Sequence, residues 1–180
     1  MRALVVYESM FGNTKAVALA IADGIRRSME VDAYEVSEAP ATLPSDIALL
    51  VVGGPTHAHG LTSAKTRADA ADRAGIRLVS RGAGIREWLE ALLPGPTDVA
   101  AAAFDTRIKG PELLWGSAAK GASKRLTTLQ FRVLTPTSFL IGGPGGEPFD
   151  RLSEDESRRA RDWGDTLATA VGGSAVGTAR

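Results

Sequence analysis

Unbroken apolar runs alternate along this chain with stripes of helical spacing. Residues 3–7 (Ala3, Leu4, Val5, Val6, Tyr7) form a continuous apolar run, as expected of a strand covered on both faces and paired in parallel. After a polar turn, Val17, Ala20, Ile21, Gly24 and Ile25 repeat at helical spacing. Residues 31–36 alternate like an edge strand, and residues 47–52 make a third, wholly apolar strand that Gly53, Gly54 and Pro55 end sharply. Helical patterns follow over 63–74 and 85–93, separated by a glycine-containing stretch at 81–84, with Trp88, Leu89 and Leu92 facing the core.

A fourth strand of small residues spans 99–104, a helix spans 117–129, and a fifth strand spans 132–141, where Pro136 marks an interruption or an edge. Ser153, Glu154, Asp155 and Glu156 read as a capping box that opens a last helix, whose Ala160, Trp163, Leu167 and Val171 share one face. Residues 172–180 read as a flexible tail. Five strands alternating with helices predict an α/β fold, a doubly wound parallel sheet with helices on both faces.

Length and composition narrow the classes without choosing among them. At 180 residues, 44% hydrophobic and 23% charged, the chain suits one domain. No apolar stretch is long enough to span a bilayer, and Met1 and Arg2 run straight into a strand, so no membrane role and a cytoplasmic location are expected. With no cysteine, disulfides, thiolate chemistry, iron–sulfur clusters and cysteine zinc sites are excluded. The 21 basic residues balance the 21 acidic ones, so nothing global draws nucleic acid. Locally, Arg107, Lys109, Lys120, Lys124, Arg125 and Arg132 face only Asp105 and Glu112 across the same stretch.

The candidate chemistry lies where the first strand gives way to the first helix. Ser9, Met10, Phe11, Gly12, Asn13 and Thr14 bring hydroxyl, glycine and amide groups to a helix N-terminus, a seat for a phosphate monoester that needs no lysine. The sequence holds neither the glycine-lysine loop of nucleoside triphosphatases nor the triple-glycine turn of dinucleotide folds. The segment resembles the phosphate loop of flavodoxins, Ser/Thr-x-Thr-Gly-Asn-Thr, matching at Ser9, Gly12, Asn13 and Thr14 and departing at Phe11, where that family usually has threonine. The resemblance implies a flavodoxin-like five-stranded sheet of order 2-1-3-4-5, an FMN-binding domain over residues 1–171, and a ligand beyond the carboxyl ends of strands 1, 3 and 4. In overall look it also resembles flavodoxin-domain proteins of actinobacterial type.

By the same resemblance, Pro55, Thr56, His57, Ala58, His59 and Gly60 would flank the flavin ring, with the imidazole of His57 as a flat neighbour. Phe104, Asp105, Thr106 and Trp115 would close its other side, Asp105 and Thr106 bonding the polar edge and Trp115 stacking. Two histidines one residue apart also suggest a metal site, but these are the only two histidines and no carboxylate lies beside them. No metal and no catalytic acid or base is expected, because the flavin would perform the redox chemistry. The function implied is an FMN-binding electron carrier exchanging electrons with redox partner proteins or NAD(P)H, docking near Arg107, Lys109, Lys120 and Lys124. Two alternatives stay open, an FMN-dependent NAD(P)H:quinone oxidoreductase and a flavin-free regulatory module on the same fold.

Overall fold

The computed structural model describes residues 1–57, 60–74, 79–93, 98–108, 116–142 and 152–176. Its elements run β1 (Arg2–Tyr7), α1 (Asn13–Ile25), β2 (Glu30–Glu35), a 3-10 turn (Val36–Glu38), β3 (Ile47–Pro55), α2 (Ala64–Ala74), α3 (Ile85–Ala91), β4 (Ala100–Ile108), α4 (Ala118–Thr128), β5 (Arg132–Val133), β6 (Thr137–Ile141) and α5 (Glu154–Val176). The strands form one parallel sheet in the order β2-β1-β3-β4-β5, and β6 also pairs with β4. This is the doubly wound α/β fold that the alternation of strands and helices implied, in the strand order that the resemblance to flavodoxins implied. Among the described residues, no helix is long and apolar enough to cross a membrane.

Strand alternation sorts the core into two halves. Ala3, Val5 and Tyr7 of β1, Leu49 and Val51 of β3, and Ala100, Ala102 and Phe104 of β4 pack with α1 and α5. Leu4, Val6, Leu50, Val52, Ala101 and Ala103 pack with α3 and α4 on the other side. On the first side Phe104, Phe139 and Trp163 meet edge to face, with ring centroids 6.0–6.5 Å apart. Two glycines let α1 and α5 close together: a Cβ at Gly24 would lie 1.9 Å from the Arg161 carbonyl oxygen, and one at Gly164 would lie 2.2 Å from that of Ile21.

Several boundaries differ from the sequence reading, each for a pairing reason. Gly53, Gly54 and Pro55 do not end β3; they continue it, in register with Phe104, Asp105 and Thr106. A Cβ at Gly53 would sit 2.1 Å from the Phe104 ring, so the glycine makes room for that ring. β4 runs to Ile108 because Phe104 to Ile108 have a second partner in β6. The single strand expected over 132–141 is two, divided at Pro136, which lacks the N–H a ladder needs. Ser153 does accept from the Glu156 amide (3.2 Å), but Glu156 Oε2 accepts from Leu140 N (2.8 Å), tying α5 to β6 rather than completing a reciprocal box. Helix α5 continues past Gly172 to Val176.

Candidate functional site

The carboxyl ends of β1, β3 and β4 lie side by side, and the loop after β1 is the most constrained of the three. Gly12 caps α1 with φ 97°, a left-handed conformation that favours glycine, and nothing lies within 4 Å of where its Cβ would be. Ser9 Oγ accepts from Gly12 N (3.1 Å) and Lys15 N (3.2 Å), which orients the hydroxyl and leaves its proton to donate. The loop is clamped from outside by Ser80, whose Oγ accepts from Ser9 N (2.9 Å) and whose amide donates to Ser9 O (2.8 Å), while Val79 N donates to Met10 O (3.1 Å). Among the described residues, the amides of Met10, Phe11 and Thr14 have no partner. The first turn of α1 holds no acidic residue. Unpartnered amides at an open helix N-terminus suit an anion.

The remaining expected residues divide into those the site can use and those the fold has already employed. Met10 and Asn13 are buried, so Met10 offers its backbone, and Phe11 is 51% exposed at the lip of the loop. Thr14 and Thr106 are buried and share a hydroxyl–hydroxyl bond of 2.7 Å, tying α1 to β4. Phe104 is corrected: its ring is fully buried in the aromatic cluster on the α1 and α5 side and serves the core. Asp105 and Thr106 are strand residues rather than loop residues. Asp105 Oδ2 accepts from Ser117 Oγ (2.7 Å) and Ala119 N (2.9 Å), and Thr56 Oγ1 accepts from Ala118 N (2.9 Å), so both cap the start of α4.

His57 and Gly60 close a tight turn through two backbone bonds, 3.0 and 3.2 Å, with Pro55 entering it from β3. His57 Nδ1 and Asp105 Oδ1 are buried without a partner among the described residues. Ala58, His59, Lys109 and Trp115 lie outside the described residues.

Sequence reasoning missed a buried polar network directly behind the phosphate loop. Glu8 continues the alternation of Leu4 and Val6, so its side chain enters the α3 side of the sheet, fully buried. It accepts from Thr62 Oγ1 (2.5 Å) and Ile85 N (3.0 Å), with Arg67 Nη1 at 3.9 Å. Arg67 donates to Thr62 Oγ1 (3.0 Å) and to Glu87 Oε1 (3.1 Å), and Glu87 Oε2 accepts from Gly84 N (2.8 Å). Burial alone would raise the Glu87 carboxyl, but hydrogen bonds from Arg67 and from the amides of Glu87 and Gly84, together with the Arg67 charge, hold it below its ordinary range. The available signal was a charged residue at the end of an apolar strand, which burial permits only when partners satisfy it.

This order of strands is shared with known proteins. A family model described as flavodoxin matches residues 5–139. The chain belongs to the flavodoxin family. No match is found among curated proteins. Similar solved structures include a flavodoxin from the domain Archaea, 20% identical with a TM-score of 0.64, covering 96% of this chain and 99% of that one. Oxidised flavodoxin 2 from Bacillus cereus is 17% identical with a TM-score of 0.62, over 94% and 99% of the two chains. The rubredoxin:oxygen oxidoreductase of Desulfovibrio gigas is 17% identical with a TM-score of 0.63; 97% of this chain matches 37% of that larger one.

Flavodoxins are FMN-binding proteins, and the groups present here suit that cofactor. Among the described residues, this flavodoxin-family chain has unpartnered amides at Met10, Phe11 and Thr14 and open space over Gly12. Near the ends of β3 and β4 it offers two orphaned buried polar atoms, on His57 and Asp105.

Proposed function

We propose that this chain holds FMN, non-covalently, at the carboxyl ends of β1, β3 and β4 and carries electrons between partners. The reading rests above all on the unpartnered amides of Met10, Phe11 and Thr14 beside Gly12 at the start of α1, the arrangement a phosphate monoester requires. In that role the three amides and the Ser9 hydroxyl hold the phosphate, and His57 with Gly60 borders the ring. The flavin supplies the reversible uptake of electrons when bound; the chain orients it and limits its contact with water. Redox partners then approach the same edge, where Arg107, Lys120 and Lys124 favour an acidic surface. Lys109 belongs to the same cationic stretch of sequence.

The visible spectrum of the purified protein, followed by titration of the apo form with FMN and with riboflavin, tests this. Flavin absorption bands, and FMN binding far tighter than riboflavin binding, are expected; equal affinities would mean that the phosphate seat is misread. Photoreduction of the loaded protein then reports whether electrons enter singly, as a carrier requires.

A flavin-free module on the same fold is favoured by one observation: Phe11 places an exposed ring where a hydroxyl would otherwise reach the phosphate. A colourless protein that takes up no FMN would establish that reading.

A further inference from the structure

On the α4 side of His57 lies an open cleft of about 440 Å³, lined by Gly60, Leu61, Arg86, Ser117, Lys120, Gly121, Lys124 and Arg125. Four of its eight lining residues are cations and none is a carboxylate. We propose that this cleft is a second ligand site, one that binds the phosphate groups of a small nucleotide-type molecule. Its size lies within the roughly 300–1,000 Å³ of small-molecule sites.

The charge in the cleft is held in place. Arg86 donates from Nε to Thr62 O (2.9 Å) and from Nη2 to Leu61 O (2.7 Å), so carbonyls fix its guanidinium while its charge stays uncompensated. Among the described residues, no carboxylate pairs with Arg86 or Lys124. Arg125 has one, Glu90 at 3.1 Å, on a pair that is part exposed and therefore weakly held. A fixed guanidinium with further cations around it is the arrangement that recognises phosphate oxygens.

The walls supply room for the rest of a ligand. A Cβ at Gly60 would meet nothing within 4 Å, and one at Gly121 would only touch Leu61 at 3.8 Å, so two glycines and a leucine give an apolar surface beside the cations. The cleft is joined to the proposed ring site through short links. Gly60 bonds His57 in the turn, and Ser117 donates to Asp105. A ligand seated here would therefore lie beside the residues that border the flavin, yet its recognition does not depend on flavin being present.

Calorimetric titration of the whole protein, supplied with FMN, with pyrophosphate, ADP and adenosine at low salt tests the proposal. Pyrophosphate and ADP should bind saturably and adenosine should not, and added salt should weaken both. Lys124→Glu, an exposed change that leaves the core intact, should weaken ADP binding at least tenfold, and Arg86→Gln should do the same. Absence of saturable binding up to millimolar ADP, or wild-type affinity in both variants, would overturn the proposal. So would loss of ADP binding in Gly12→Val, since the anion would then sit on the phosphate loop. If the protein binds no FMN but still binds ADP with the same dependence on Lys124, the cleft stands and the flavin reading alone fails. Binding of polyglutamate with none of ADP would make the face macromolecular and end the proposal.

Discussion

The two faces of the central sheet are built from the same strands by opposite means. On the α1 and α5 side, an apolar cluster runs from Ala3 to Val171 beside one buried hydroxyl pair, Thr14 with Thr106, glycines bring the helices into backbone contact, and three aromatic rings interlock. On the α3 side, the same alternation carries β1 out of its apolar run into Glu8, and a connected set of Thr62, Arg67, Gly84, Ile85 and Glu87 satisfies it. The first face is held by close packing, which tolerates little change in volume. The second depends on complete pairing, which tolerates little change in polarity. The phosphate loop hangs on the second: residue 9 follows Glu8 directly, and Ser80 precedes by a few residues the helix that Glu8 grips.

That contrast is open to direct attack. The largest effect is expected from Glu8→Ala, which strands the Ile85 amide and the Thr62 hydroxyl in the interior and takes one carboxyl from Arg67. Breaking a buried charged pair of this kind costs about 3–5 kcal/mol. Urea unfolding should show a loss of that order, and a loss under about 1 kcal/mol would mean that water enters the network.

On the apolar face, Gly164→Ala sets two terms against each other. Alanine gains about 1 kcal/mol of helix propensity over glycine. Its methyl, however, would lie 2.2 Å from the Ile21 carbonyl oxygen, which is backbone and cannot rotate away. Overpacking costs typically 1–3 kcal/mol, so a net lowering of the melting temperature by a few degrees is expected, at about 2–4 °C per kcal/mol for a chain of this size. A rise in melting temperature would show that α1 and α5 can slide apart. The same rise would mean that the close approach is not what holds this face.

The phosphate loop should respond in ligand affinity. Gly12→Val forces a branched side chain into the left-handed conformation and projects it into open space over the loop, so FMN affinity should fall steeply in a fluorescence-quenching titration. Phe11→Thr is the complementary change. It offers one more hydroxyl to a charged acceptor, an interaction worth about 1.5–3 kcal/mol, and FMN affinity should rise roughly tenfold. Unchanged affinity in both variants would remove the loop from the site.

The smallest effect concerns pH. The folded Glu87 carboxyl is held below its ordinary value of 4.5. Its contribution to stability is therefore complete above about that pH and is lost as pH falls through the lowered folded value. Because its side chain is 35% exposed, solvent screens the effect. Glu87→Gln should flatten the stability profile below about pH 4.5 and leave the relative slope above pH 6 unaltered; parallel profiles for the two proteins would assign the acid sensitivity elsewhere.

Much of this molecule was legible as one-dimensional pattern. Strands that are covered on both faces must be apolar throughout, so residues 3–7, 47–52 and 99–104 announced a parallel sheet. The loop at Ser9 to Thr14 stood out as a candidate anion seat, a reading that FMN titration tests. Strand ends were less legible. Gly53 to Pro55 look like a stop, yet they extend β3 because a neighbouring strand continues beside them. Phe104 looks like a site residue by its place beside Asp105, yet alternation turns its ring to the core.

The sequence by itself determined the class of fold and the two apolar helix stripes that clothe the sheet, since each is written in residues that are neighbours along the chain. Tertiary structure alone decided that Glu8 is satisfied from residues 54 to 77 positions away, and that Thr56 and Asp105 cap α4 instead of standing free. It also decided that Arg86 meets Lys120, Lys124 and Arg125 around one cleft. The reason is physical: a buried polar group takes whichever donor or acceptor the packed chain brings within about 3 Å, and that partner is chosen by how helices lie on the sheet, which no local run of residues encodes.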